Sequence, residues 1–231
     1  MKYKHLFFDL DHTLWDFEAN SRQTLLELFD SMRLSEKGVH DFDIFHQRYM
    51  IHNDKLWERY RNGFIKVDEL RWKRMWLTLV DFKIGNEALA RDLGQRFLDL
   101  LPTRKILFPY TLEILQYLSR KGYHLHLITN GFEKTQHSKL DYAGLRPYFQ
   151  AVITSEGSGS LKPHPEIFQY ALARTGAKLE ESIMLGDSLE VDIQGARNAG
   201  MDQVYVNHLQ VKPDFEPTYT VHTLKELEAI F

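Results

Sequence analysis

Residues 3–14 read Tyr3-Lys4-His5-Leu6-Phe7-Phe8-Asp9-Leu10-Asp11-His12-Thr13-Leu14. A short apolar run, interrupted by Lys4 and His5, is stopped by two carboxylates set two residues apart. That is the pattern of a buried strand ending at a polar site. The pattern recurs in the second half of the chain. The run 124–128 leads into Thr129-Asn130-Gly131, and 151–154 precedes a loop holding Lys162-Pro163. The run 182–185 ends at Gly186-Asp187, with Asp192 five residues on, and 203–206 supplies one more strand. Helical spacing fills the intervals at Thr111–Arg120, Glu133–Tyr142, 165–174, 191–198 and 224–230. Strands alternating with helices of this length predict βαβ units, and hence a doubly wound, Rossmann-like parallel sheet in an α/β core.

One segment breaks the alternation. From 19 to 101 apolar residues recur at helical spacing only, as in Leu25, Leu26, Leu28, Phe29 and Met32, with no proline before Pro102. This predicts an all-helical block inserted behind the first strand. The expected division is a core of residues 1–16 and 104–231, with a helical cap of 17–103.

Composition narrows the function. Of 231 residues 43% are hydrophobic and 26% charged, which excludes a disordered chain. Twenty-nine basic against thirty-two acidic residues leave a net charge of −3, so no basic field draws a nucleic-acid polymer. The absence of cysteine excludes disulfides, zinc–thiolate sites, iron–sulfur clusters and a thiol nucleophile. The N-terminus begins like a signal peptide, but Asp9 and Asp11 end its apolar run too early. No stretch approaches a membrane span. A soluble, cytoplasmic protein is expected.

In open parallel sheets ligands bind at the carboxyl ends of the strands. Here those ends offer Asp9 and Asp11, Thr129, Lys162, Asp187 and Asp192. Crowded carboxylates call for a hard divalent cation with oxygen ligands, Mg²⁺ being the commonest. One lysine and one hydroxyl suit the peripheral oxygens of a phosphoryl group, whose transfer depends on positioning and charge neutralisation. An aspartate can itself serve as nucleophile. A second carboxylate two residues away can protonate the leaving oxygen and later deprotonate water.

The segments FFDLDHTL (7–14), ITNG (128–131), LKPHPEIF (161–168) and GDSLEVD (186–192), in that order and each after an expected strand, resemble the four signature motifs of the haloacid dehalogenase superfamily of phosphatases. The resemblance covers the whole chain, because the helical insertion resembles that superfamily's cap. It implies Asp9 as nucleophile and Asp11 as general acid/base. It also implies Thr129, Asn130 and Lys162 as phosphate-binding groups. Mg²⁺ would be held by the Asp9 carboxylate, the Asp11 backbone carbonyl and Asp187, with Asp192 in the outer shell. The longer motif DHTLWDFEANS (11–21) resembles a branch of capped members acting as nucleotidases on nucleoside monophosphates, pyrimidine ones especially. A small phosphorylated metabolite is therefore the expected partner, a nucleoside monophosphate first.

Alternatives stay open at this level. A sugar-phosphate phosphatase uses the same mechanism, a phosphoglucomutase retains the phosphoryl group, and a non-catalytic ligand sensor keeps only the fold. A true dehalogenase needs no metal and its family lacks the second aspartate, so Asp11 speaks against it. Trp15 and Phe17 either stack on a base or pack the flap. Trp57, Trp72 and Trp76 read as cap core. Arg71 and Arg74 are candidates for reaching substrate, with a solvated helix face as the alternative. His124 and His126 read as packing residues of a buried strand.

Overall fold

The computed structural model describes residues 2–231. After β1 (His5–Phe8) come four long helices, α1 (Phe17–Ser31), α2 (Phe42–Arg61), α3 (Val67–Asp81) and α4 (Glu87–Leu100). Alternation follows, with α5 (Thr111–Arg120), β2 (His124–Thr129), α6 (Glu133–Tyr142), β3 (Ala151–Thr154) and the single turn α7 (Ser155–Ser158). The chain closes through α8 (Pro165–Thr175), β4 (Ser182–Gly186), α9 (Gly195–Asn198), β5 (Asp202–Val206) and β6 (Tyr219–Val221). It divides into two compact units, one of residues up to Phe17 with Lys105–Phe231, the other of Glu18–Arg104. No helix among the described residues is long and apolar enough to cross a membrane.

The first unit is built on six parallel strands in the order β3-β2-β1-β4-β5-β6. Phe8 of β1 lies opposite Leu127 on one side and Leu185 on the other. Strands covered on both faces read as unbroken apolar runs, and Leu6, Phe7, Phe8, Ile183, Met184 and Leu185 are all wholly buried. On one face Phe7, Ile128, Ile153 and Met184 pack with Ile167, Phe168 and Ala171 of α8. Strand order reverses between β1 and β4, which is where ligands of such sheets bind.

Three local expectations change. The helix expected over 191–198 is wound in two pieces, a π-helical turn at Leu189–Gln194 and then α9. Gly195 at the junction lies against Pro163, whose Cα would stand 2.9 Å from any Cβ there, and Asp192 is buried in the widened turn. The last helix is a 3₁₀ helix, Leu224–Ala229, opened by a Thr223/Glu226 capping box. Tyr117 of α5 and Lys121, the residue that follows this helix, donate to the carbonyl of Phe231 beside it. His126 is buried against Phe7, but His124 sits at the exposed start of β2, stacked on His5 and bonded to Gln150. The short edge strand β6 and the turn α7 carry too few residues to show a period.

The second unit packs α3 against both α2 and α4. Asp41 and Asn86 start α2 and α4 by accepting the backbone N–H of Ile44 and Leu89. Tyr49, Leu70, Met75, Leu79, Leu93 and Phe97 are buried, with the Tyr49 and Phe97 rings 5.2 Å apart. Two expectations fail here. Trp57, Trp72 and Trp76 are half-buried, not core; Trp72 meets Trp76 edge-on and carries the Arg91 guanidinium 3.9 Å over its ring. Arg74 is neither solvated nor available to a substrate, since only 2% of it is exposed. Its guanidinium donates through Nε to Leu70 O and through Nη1 to Asn53 Oδ1 and Tyr49 OH, while Nη2 is buried without a hydrogen-bond partner.

Candidate active site

Four strand-end loops of the first unit meet around Lys162. Asp9 directly follows β1, and its N–H continues the ladder to Leu185 O at 2.8 Å. Lys162 reaches it from the loop before α8, held by Asn130. The Asn130 amide donates to Lys162 O and accepts from Lys162 N, both at 2.8 Å. Asn130, expected among the phosphate-binding groups, thus has both ends of its side chain engaged in fixing this loop. Lys162 is 1% exposed, and its ammonium donates to Asp9 Oδ1 (2.5 Å), Asp192 Oδ1 (2.7 Å) and Ile128 O (2.8 Å). Its three protons are therefore taken by the protein, and a phosphoryl oxygen would have to displace one of these acceptors. Thr129 is buried, and its hydroxyl oxygen accepts from Gly131 N while keeping its own proton.

Oxygen ligands of Asp9, Asp187 and Asp192 lie within 4.8 Å of one another. Thr13 donates to Asp187 Oδ1 at 2.9 Å, and Ser188 N donates to Asp192 Oδ2 at 3.1 Å. Gly186 permits this approach, because a Cβ there would stand 2.4 Å from Asp192 Oδ2. Three carboxylates against one ammonium leave an uncompensated negative charge in a buried place. Burial and the neighbouring Asp192 push the Asp187 carboxyl up to about 7. Burial likewise raises Asp9 well above the carboxylate range; Lys162 opposes the shift, while Asp192 and Asp187 add to it. An all-oxygen donor set with excess negative charge fits a hard divalent cation. Asp9 and Asp187 each keep an oxygen that Lys162 and Thr13 do not occupy, whereas both Asp192 oxygens accept from protein donors.

Asp11 was legible in the sequence; what holds it was not. Lys139 Nζ stands 2.5 Å from Asp11 Oδ1 and Gln136 Nε2 3.0 Å from Oδ2, both from the buried face of α6. By pattern these two read as polar residues on a helix face. Only a lysine and a glutamine three apart, directly behind Asn130-Gly131, hint otherwise. Thr13 was missed in the same way.

Trp15 is fully buried, and the Lys139 ammonium lies 4.1 Å from its ring centroid. Phe17 is also buried, tilted against His12 at 5.1 Å. The tight turn that places them has Leu14 N and Trp15 N both donating to Leu10 O. Of the two readings for Trp15, flap packing holds, because a ring with no exposed surface offers no face to a base.

A haloacid dehalogenase-like hydrolase family model matches residues 3–200. The chain is 34% identical over 230 residues to the pyrimidine 5'-nucleotidase PynA of Streptococcus pneumoniae, covering 98% of this chain and 94% of that one. It is 31% identical over 235 residues to the pyrimidine 5'-nucleotidase YjjG of Escherichia coli, covering 100% and 98%. Among solved structures, the HAD-hydrolase YfnB of Bacillus subtilis, bound to magnesium, superposes with a TM-score of 0.89 at 28% identity, covering 100% of this chain and 99% of that one.

Proposed function

This chain belongs to the haloacid dehalogenase-like hydrolase family, and from that footing we propose that it is a Mg²⁺-dependent phosphomonoesterase acting on pyrimidine nucleoside 5'-monophosphates through phospho-Asp9. The observation that carries the chemistry is the buried Asp9–Lys162–Asp192 network beside Asp187, where strand order reverses between β1 and β4. Similarity to two pyrimidine 5'-nucleotidases over nearly the whole chain supports the substrate class.

In this reading a carboxylate oxygen of Asp9 bonds to phosphorus as the bond to the leaving oxygen breaks. Asp11 supplies the proton that the leaving oxygen needs. Asp11 then takes a proton from water, whose oxygen attacks the same phosphorus, freeing inorganic phosphate and the Asp9 carboxylate. Thr129 and Lys162 hold the phosphoryl oxygens, Lys162 exchanging one carboxylate partner for one of them. The Asp9 carboxylate, the Asp11 carbonyl and Asp187, with Asp192 outside, would hold Mg²⁺, which would supply positive charge to offset these aspartates as a phosphate dianion approaches.

The reading is tested by phosphate release from UMP, CMP and dTMP against purine nucleotides and sugar phosphates, with Mg²⁺ and then with EDTA. Pyrimidine nucleotides are expected to lead by about tenfold or more in kcat/KM, equivalent to about 1.4 kcal/mol of discrimination. EDTA is expected to abolish all turnover. Faster turnover of a sugar phosphate would replace the nucleotide with that class.

Metal titration separates the carboxylates. Asp187→Ala is expected to weaken Mg²⁺ binding more than Asp192→Ala does, by calorimetry, because Asp192 already has both oxygens bonded to the protein. An outer-shell change typically costs about 10–100-fold in affinity. Equal midpoints for the two variants would contradict this order.

A further inference from the structure

We propose that α6 orients the general acid/base, with Lys139 and Gln136 as positioning residues for the Asp11 carboxylate; this rests on the role given to Asp11 above. The two side chains stand three apart on one face of α6 and grip different oxygens of the same carboxylate. A carboxylate held at one oxygen still pivots; held at both, it keeps one orientation. The grip is deeply built, since Lys139 and Gln136 are 2% and 1% exposed. Asp11 itself keeps 24% of its side chain open, so a substrate can reach what the helix steadies.

The surroundings are shaped for this contact. A Cβ on residue 131 would stand 2.0 Å from Gln136 Nε2, so the amide reaches Asp11 across the space that Gly131 leaves. The Lys139 ammonium also lies 4.1 Å from the Trp15 ring centroid and 5.6 Å from that of Phe17. Trp15 and Phe17 therefore act through Lys139: they form the wall of its pocket. Burying a lysine is costly unless its charge is met. Asp11 and the two rings meet it here, and α6 would need no buried cation merely to pack.

An acid acts on the departing oxygen, so its misplacement is felt most by leaving groups that depart poorly without a proton. The experiment measures kcat/KM on phenyl phosphates ranging from 4-nitro to 4-methoxy. This constant ends with departure of the phenol and is blind to hydrolysis of the phosphoenzyme. For Lys139→Met the expected loss is about 5- to 50-fold greater on 4-methoxyphenyl than on 4-nitrophenyl phosphate, less than the roughly 10²–10⁴-fold a general acid contributes in full, because Asp11 itself remains. Gln136→Met should tilt the series the same way by less, and it carries the test alone if Lys139→Met gives no cooperative melt. Asp11→Asn is the control and should tilt the series most. An Asp11→Asn loss uniform across the series would overturn the acid role itself. A tilt with Asp11→Asn, but a uniform loss, no loss or a gain with Lys139→Met and Gln136→Met, would overturn the positioning role and leave the acid role standing.

Discussion

Asp9→Asn is expected to lower phosphate release by about 10⁴-fold or more, the scale seen when a catalytic nucleophile is removed, and to leave the fold intact or firmer. The amide nearly copies the carboxylate in shape but is a far poorer nucleophile. The effect on stability follows from the charges around it. Asp9 is buried with its carboxyl pushed well up by burial and by Asp192 and Asp187, so neutralising it relieves repulsion in the metal-free protein. Lys162 keeps two acceptors, Asp192 Oδ1 and Ile128 O. The melting temperature in EDTA should therefore match or exceed that of the parent. Phosphate release, a thermal melt and a search for phosphorylated peptide check this together. Turnover within tenfold of the parent, in protein free of contaminating phosphatase, would contradict attack by Asp9.

Lys162→Met should be the most destabilising single change in the core of the site, by about 3–5 kcal/mol, the usual cost of removing one partner of a buried ion pair. Methionine roughly fills the space of the lysine stem, so packing changes little and the deficit reports charge. Without the ammonium, Asp9 and Asp192 lose their shared cation, and Ile128 O loses a donor. Urea denaturation at neutral pH in EDTA is the measurement. Mg²⁺ should restore part of the loss, because a divalent cation neutralises the same carboxylates. A variant within about 1 kcal/mol of the parent in EDTA would mean that this network contributes little net stability, as some buried pairs do.

The two variants together distinguish the roles of one ion pair. Asp9→Asn removes chemistry and spares the fold, whereas Lys162→Met removes the shared counter-charge and weakens it. The asymmetry arises because one ammonium serves two carboxylates.

Much of this was present in the order of residues along the chain. The run from Leu6 to Asp9 and the strand-end placement of Thr129, Lys162 and Asp187 are patterns over a few neighbours, and pleat and helical turn impose such patterns directly. They suffice for the parallel sheet, the helical insertion and the motif residues. What the pattern could not reach lies in pairs far apart. Lys139 meets Asp11 across 128 positions and Lys162 meets Asp9 across 153. Arg74 read as a solvated arginine until α2 and α3 packed around it and supplied Asn53 and Tyr49. Trp15 read equally as a stacking face or as flap packing until the turn after β1 buried it. Sequence alone determined which groups stand at the carboxyl ends of the strands, because local periodicity sets where each strand stops. The tertiary structure alone decided which charges pair and which rings are covered, because those depend on strand order and helix packing that no short-range pattern encodes.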